Sequence, residues 1–306
     1  MPKSTTVQIW LSAARLRTLP LSIAGIITGN ALALETYAFS WMLFAGALLT
    51  AIAYQILSNF ANDYGDGVKG TDNENRIGPK RVMQQKLIEP KVLYNAIIIT
   101  AIVAFVLSVV LVYEAFGMEN LKWIGLFLAL SAAAIWAAYN YTVGESAYGY
   151  FALGDIFVFL FFGFVAVGGA YFLQTQELTI EVVYWSIAMG GLSVGVLNLN
   201  NMRDTENDIQ SNKKTIANTL GPSKSRIYQY LLLFISVVSL VISILISGDF
   251  TGLEAMPIVI VIPLVIQSLG ISKVSNPKDY DTYLKPLALS TFALSLLLLM
   301  SKLLAL

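Results

Sequence analysis

Neither cysteine nor histidine occurs among the 306 residues of this chain. The first absence excludes disulfides and thiol chemistry. The second removes the commonest general base and the commonest zinc ligand. Charge is scarce too: Asp, Glu, Lys and Arg make up 12% of the chain, half the roughly 25% usual in soluble domains. What remains is apolar, with 57% hydrophobic residues and a mean hydropathy of +0.69. A membrane protein is expected, and its chemistry must rest on Asp, Glu, Lys, Arg, Tyr, Asn or a hard metal ion. The first eighteen residues carry Lys3, Arg15 and Arg17 and no signal-peptide cleavage pattern. A mature, cytoplasmic N-terminus is therefore expected.

A crossing needs about 20 mostly apolar residues. Nine stretches qualify, at 18–34, 41–60, 92–113, 121–141, 152–173, 181–199, 227–247, 255–272 and 286–304. The expected fold is all-α: one membrane-embedded domain over 1–306, a multi-pass bundle of nine transmembrane helices. Residues 7–17 mix Trp10, Leu11 and Leu16 with Arg15 and Arg17, the pattern of a short interfacial helix. Basic residues collect on the cytoplasmic side of a membrane protein. A cytoplasmic N-terminus places every Lys and Arg inside except Lys122 and Lys302. The outer connections then carry Glu35, Glu114, Glu119, Glu177, Glu181, Asp249 and Glu254, and the C-terminus lies outside.

Two inward-running spans, the second and the sixth, end in polar patches. The first patch holds Asn59, Asn62, Asp63, Asp66, Lys69 and Asp72; the second holds Asn198, Asn200, Asn201, Arg203, Asp204, Glu206, Asp208, Lys213 and Lys214. Carboxylates at the mouth of a membrane helix are costly. Asn62 and Asp66 are four apart, as are Asp204 and Asp208, so a continuing helix puts each pair on one face. Such oxygen pairs suit Mg²⁺, which takes a few carboxylates, waters and phosphate oxygens. Lys69, Arg76, Lys80, Arg81, Arg203, Lys213 and Lys214 are candidates for phosphate or an anionic co-substrate. The cytoplasmic segments 62–91 and 200–225 thus read as a shared metal–phosphate site. Caps and solvated loops explain one patch alone about as well. Lys86, Lys91, Lys224, Lys273 and Lys278 read as positive-inside residues, and Asp279 and Asp281 as members of a solvated loop. Phe157, Phe159, Phe161, Phe162 and Phe164 read mainly as packing or lipid-facing residues, with a channel for an apolar tail as the other reading.

Together the patches resemble the motifs of the UbiA superfamily of intramembrane aromatic prenyltransferases. Asn62, Asp63, Asp66 and Asp72 fit the first motif, and Asp204 and Asp208 the second. Nine spans with cytoplasmic motifs match as well, so the likeness covers nearly the whole chain. The segments Ala14-Arg15-Leu16-Arg17-Thr18-Leu19-Pro20, Lys69-Gly70-Thr71-Asp72, Arg76-Ile77-Gly78-Pro79-Lys80-Arg81, Asn200-Asn201-Met202-Arg203-Asp204 and Lys213-Lys214-Thr215 resemble the branch with a dihydroxynaphthoate acceptor. Two departures are visible: Asn212 stands where the family has Gly, and Asp155 where it has Glu.

The resemblance implies Mg²⁺-dependent transfer of a polyprenyl chain from its diphosphate to 1,4-dihydroxy-2-naphthoate, with loss of carbon dioxide, in menaquinone synthesis. It implies catalytic roles for Asn62, Asp66, Lys69, Asp204 and Asp208, and metal contacts from Asn62, Asp63, Asp66, Asp204 and Asp208. Substrate contacts are expected from Arg17, Lys69, Asp72, Arg76, Arg81, Asn201, Arg203 and Lys213. The expected partners are the two substrates and the lipid bilayer of a bacterial cytoplasmic membrane, with no nucleic acid and no obligate protein partner. The other readings are a family member with a 4-hydroxybenzoate or homogentisate acceptor, and, in a different class, a secondary transporter. Transport would favour ionisable groups near the midplane, whereas these clusters sit at one face.

Overall fold

The computed structural model describes residues 5–36, 39–74, 77–248 and 252–306. The chain is all-α: among the described residues the only extended pairing is a single bridge between Phe151 and Lys214. The helices are α1 (Thr6–Ala14), α2 (Leu19–Ala33), α3 (Trp41–Lys69), α4 (Pro90–Phe116), α5 (Leu121–Asn140), α6 (Gly154–Val158), α7 (Gly169–Thr175), α8 (Ile180–Arg203), α9 (Thr205–Gln210), α10 (Ile216–Ser247), α11 (Val261–Ser272) and α12 (Asp281–Ala305). A π-helical stretch, Phe159–Gly168, joins α6 to α7 in one apolar rod. Among the described residues eight helical segments are long and apolar enough to cross a membrane. The expected first span is present as α2, whose 15 residues reach only about 22 Å at ~1.5 Å per residue. It stops before Glu35, so among the described residues eight helical segments rather than nine are long and apolar enough to cross.

Contacts divide the chain into two compact units, one within 1–19, 49–154 and 204–215, the other within 20–48, 155–203 and 216–306. In the first unit Leu57, Phe60 and Ala61 of α3 pack with Leu93 and Ile97 of α4, Val82, Ile88 and Val143. The interfacial helix is α1, where Thr5 and Gln8 form a reciprocal capping box, a pairing that satisfies two orphan helix donors. It ends at Arg15, which adopts a left-handed conformation (φ 50°). Asn59 of α3 then donates to the Ala14 carbonyl (2.8 Å) and to Thr18 Oγ1 (3.1 Å). This tie holds the α1 end beside the first polar patch. Helix α4 presents Ile98, Ile99, Ile102, Val106 and Val110 outward, an apolar face suited to lipid.

The second unit has the larger core. Trp185, Met189, Leu192 and Leu199 of α8 pack with Leu233 and Leu240 of α10, Ile271 of α11, and Leu287 and Leu294 of α12. Bilayer hydrocarbon supplies no water to satisfy buried polar groups, and side chains do so here. Gln174 donates to Asn30 Oδ1 (2.8 Å) and to the Ser40 carbonyl (2.9 Å), while its own Oε1 accepts from the Ser40 amide (2.8 Å). Lys302, almost wholly buried, pairs with Glu254 (2.7 Å) and Glu35 (3.2 Å).

Candidate active site

The first patch occupies the last turns of α3. Asn62 and Asp66 fall one turn apart on the unbroken helix, as their spacing predicts. Position 65 must be glycine because a Cβ there would lie 2.6 Å from the Thr142 carbonyl carbon. That close approach lets Thr142 Oγ1 donate to the Ala61 carbonyl (3.1 Å). The second patch is interrupted. Helix α8 stops at Arg203 and α9 begins at Thr205, but the Asp208 amide still donates to the Asp204 carbonyl (2.9 Å), so the two aspartates remain one turn apart. Asn212 takes φ 54°. Asn tolerates the left-handed region, so it can make this turn.

Arg81 is the centre of the carboxylate cluster. Its Nη1 reaches Asp66 Oδ2 (2.6 Å), Asp72 Oδ2 (3.0 Å) and the Asn62 carbonyl (3.0 Å), and its Nε lies 3.6 Å from Asp63. Asp63 also pairs with Arg15. Burial works against the charge of Arg81, yet Asp66, Asp72 and Asp63 outweigh it and raise its pKa. Burial, reinforced by Arg81, lowers that of Arg15, with Asp63 opposing. Lys213 is raised, because Asp66 and Asp208 outweigh its desolvation; its Nζ lies 3.9 Å from Asp208 Oδ1. The charges of Arg81 and Lys213 therefore persist at neutral pH.

Sequence reasoning missed Tyr150. Its hydroxyl donates to Asp66 Oδ1 (2.8 Å) and, that proton being spent, accepts from Thr71 Oγ1. The Lys69 ammonium lies 4.0 Å from the ring centroid and that of Lys213 5.7 Å. Asn207, also missed, donates to the Thr71 carbonyl (3.0 Å), and its buried Oδ1 has no hydrogen-bond partner.

The structure thus brings Asn62, Asp63, Asp66, Lys69, Asp72, Arg81, Asp204, Asp208 and Lys213 into one compact unit with Arg17. Asn201 and Arg203 belong to the other unit. There the Arg203 guanidinium pairs with Asp281 and donates to Asn200 Oδ1 (2.8 Å). Asp281, expected in a solvated loop, begins α12 and remains half exposed while holding that arginine. Arg76 lies outside the described residues. Beside Asp63 is a pocket of about 240 Å³ lined by the cations Arg15, Arg17, Lys80 and Arg81 and by the apolar Leu11, Leu16 and Pro79.

The donor set can be tested for a metal. Among the described residues no three acidic side chains are arranged to hold a metal ion by themselves, as an all-protein cage would require; Asp63, Asp66 and Asp72 close on Arg81 instead. Buried carboxylates in ones and twos, together with the unpartnered Oδ1 of Asn207, fit Mg²⁺ instead. That ion takes one or two carboxylates and completes its shell with water and substrate phosphate oxygens.

The profile of the UbiA prenyltransferase family matches residues 22–300. The chain is 43% identical to 1,4-dihydroxy-2-naphthoate octaprenyltransferase of Haemophilus influenzae over 75% of each chain. It is 42% identical to the Escherichia coli protein of that name, over 76% of this chain and 75% of the relative. For the Mycobacterium tuberculosis protein, the figures are 35% over 81% and 82%. The fold is similar to that of a UbiA homolog from Archaeoglobus fulgidus bound to DMAPP and Mg²⁺, with a TM-score of 0.67 at 16% identity, covering 95% of this chain and 99% of that one.

Proposed function

The chain belongs to the UbiA prenyltransferase family, and on that premise we propose that it transfers a polyprenyl chain from its diphosphate to 1,4-dihydroxy-2-naphthoate, releasing diphosphate and carbon dioxide. The observation that carries this reading is the meeting of both polar patches around Tyr150, with Asp66, Lys69 and Lys213 all within its reach. The names of the bacterial relatives support the acceptor. The setting we assign is a bacterial cytoplasmic membrane, with the N-terminus and site inside and the C-terminus outside.

Asn62, Asp63, Asp66, Asp204 and Asp208 are the groups that would hold Mg²⁺, directly or through water. Bound there, the ion would stabilise negative charge on the departing diphosphate without a proton relay. Lys69, Arg81 and Lys213 bind diphosphate oxygens and remain charged as the allylic C–O bond breaks, with the bonding pair leaving on oxygen. Asp72 orients Arg81 through their ion pair. The pocket beside Asp63 takes the acceptor: Arg17 and Lys80 hold its carboxylate, and Leu11, Leu16 and Pro79 pack on its ring. An electron-rich dihydroxynaphthalene attacks the allylic carbon without a strong base, so the chain needs neither His nor Cys. Apolar surroundings keep water from the allylic cation.

A substrate panel tests the reading. Purified protein with one polyprenyl diphosphate is offered dihydroxynaphthoate, 4-hydroxybenzoate or homogentisate. The naphthoate should be prenylated and decarboxylated with the highest kcat/KM. Faster turnover of either other acceptor contradicts the assignment.

A further inference from the structure

We propose that Tyr150 is a positioning residue joining the two motifs into one diphosphate site, its hydroxyl fixing Asp66 and its ring holding Lys69 and Lys213. This inference rests on the prenyl-diphosphate reading of the site. Tyr150 belongs to neither motif. It closes a short 3₁₀ turn, Tyr148–Tyr150, which is anchored where the Tyr148 hydroxyl donates to the Ala137 carbonyl (2.9 Å). Its backbone is fastened to the second motif. The Lys214 amide donates to the Tyr150 carbonyl (3.2 Å), and the Ala152 amide to the Lys214 carbonyl (2.9 Å). Its side chain is fastened to the first motif through Asp66 and Thr71. Thr71 in turn accepts from Asn207, three residues beyond Asp204.

The ring has a separate task. Lys69 comes from the end of α3 and Lys213 follows α9, and both ammonium groups approach the same ring, 4.0 and 5.7 Å from its centroid. Like charges this close repel. Asp66 already attracts both, and a further carboxylate between them would neutralise the charge that a diphosphate needs. An aromatic ring attracts cations through its quadrupole while remaining neutral. Tyr150 therefore gathers positive charge without quenching it. The hydroxyl has the complementary role of a second-layer donor, fixing which Asp66 oxygen turns toward a metal.

Two variants separate these roles by binding alone. Tyr150→Phe keeps the ring and removes the hydroxyl; Tyr150→Leu removes both. Mn²⁺ affinity is read by electron paramagnetic resonance, and binding of inorganic diphosphate to the metal-free protein by calorimetry. Y150F should weaken Mn²⁺ about tenfold or more and leave metal-free diphosphate affinity within about twofold of wild type. Y150L should weaken metal-free diphosphate binding by about tenfold further, and raise KM for the prenyl diphosphate where Y150F lowers kcat. Wild-type Mn²⁺ affinity in Y150F, or diphosphate binding by Y150L equal to that of Y150F, overturns the proposal. Should Y150L fold poorly, a fluorinated phenylalanine at 150 keeps the shape, removes the negative ring face, and must show the same loss of diphosphate affinity. A wild-type protein that binds neither Mn²⁺ nor diphosphate contradicts the prenyl-diphosphate reading itself; binding-competent wild type with unaltered variants removes only Tyr150.

Discussion

Two buried ionic clusters, one in each compact unit, follow different rules. In the second unit Lys302 is enclosed by Glu254 and Glu35, so one buried cation meets two carboxylates directed at it. In the first unit the groups compete. Arg81 is shared among Asp63, Asp66 and Asp72, Lys69 and Lys213 converge on one ring, and Asn207 Oδ1 has no partner. A cluster serving only stability can settle with opposite charges in contact and no like charges converging, and the Lys302 cluster has its cation placed so. Crowded charge and unmet hydrogen-bonding capacity remain where a ligand completes the arrangement. The difference separates a staple from a site more clearly than burial does, since each cluster is built on a largely buried cation.

Substitutions can break or sharpen this contrast. The largest effect is expected for Asp66→Ala, which removes the carboxylate shared by Arg81 and Tyr150. Its kcat/KM should fall by about 10²-fold or more, measured by prenyl transfer in detergent, while the protein still elutes as a folded species. Arg81→Gln should lower both activity and stability, because it leaves Asp66 and Asp72 buried without their cation; the stability loss is about 3–5 kcal/mol, read by thermal or denaturant melting. Lys302→Met should split those properties. Glu35 is 46% exposed, so solvent relieves part of the loss, and about 2 kcal/mol is expected, with turnover per folded molecule unchanged. Gln174→Leu should have the smallest effect, about 1–2 kcal/mol from the stranded Asn30 and Ser40 groups, again without change in kcat. Loss of turnover in the Lys302 variant matching that of Asp66→Ala would erase the distinction between staple and site.

The apolar stretches and both patches were legible in the sequence because they depend on local composition. Hydrophobic length marks the spans, and i, i+4 spacing places Asn62 with Asp66. Asn212 read only as a departure at a local turn; the folded chain shows it in the left-handed conformation. Tyr150 was not legible. Tyrosines flanking a membrane span read as an interfacial belt, and only the folded chain places this one between Asp66 and Lys213. Arg15 read equally well as an interfacial anchor; its pairing with Asp63 follows from the left-handed turn that ends α1 and from the bond between Asn59 and Ala14. Arg203 illustrates the converse. Its position beside Asp204 suggested phosphate binding, and the fold adds an ion pair with Asp281, 78 residues away. Such a partner leaves no local trace.

The most direct test is a single assay of purified protein with dihydroxynaphthoate and a radiolabelled polyprenyl diphosphate, with Mg²⁺ or with EDTA, in wild type, Asp66→Ala and Asp208→Ala. The account predicts labelled, decarboxylated naphthoquinol only from wild type with Mg²⁺. Transfer that persists in EDTA, or near-normal turnover in both variants, would contradict it.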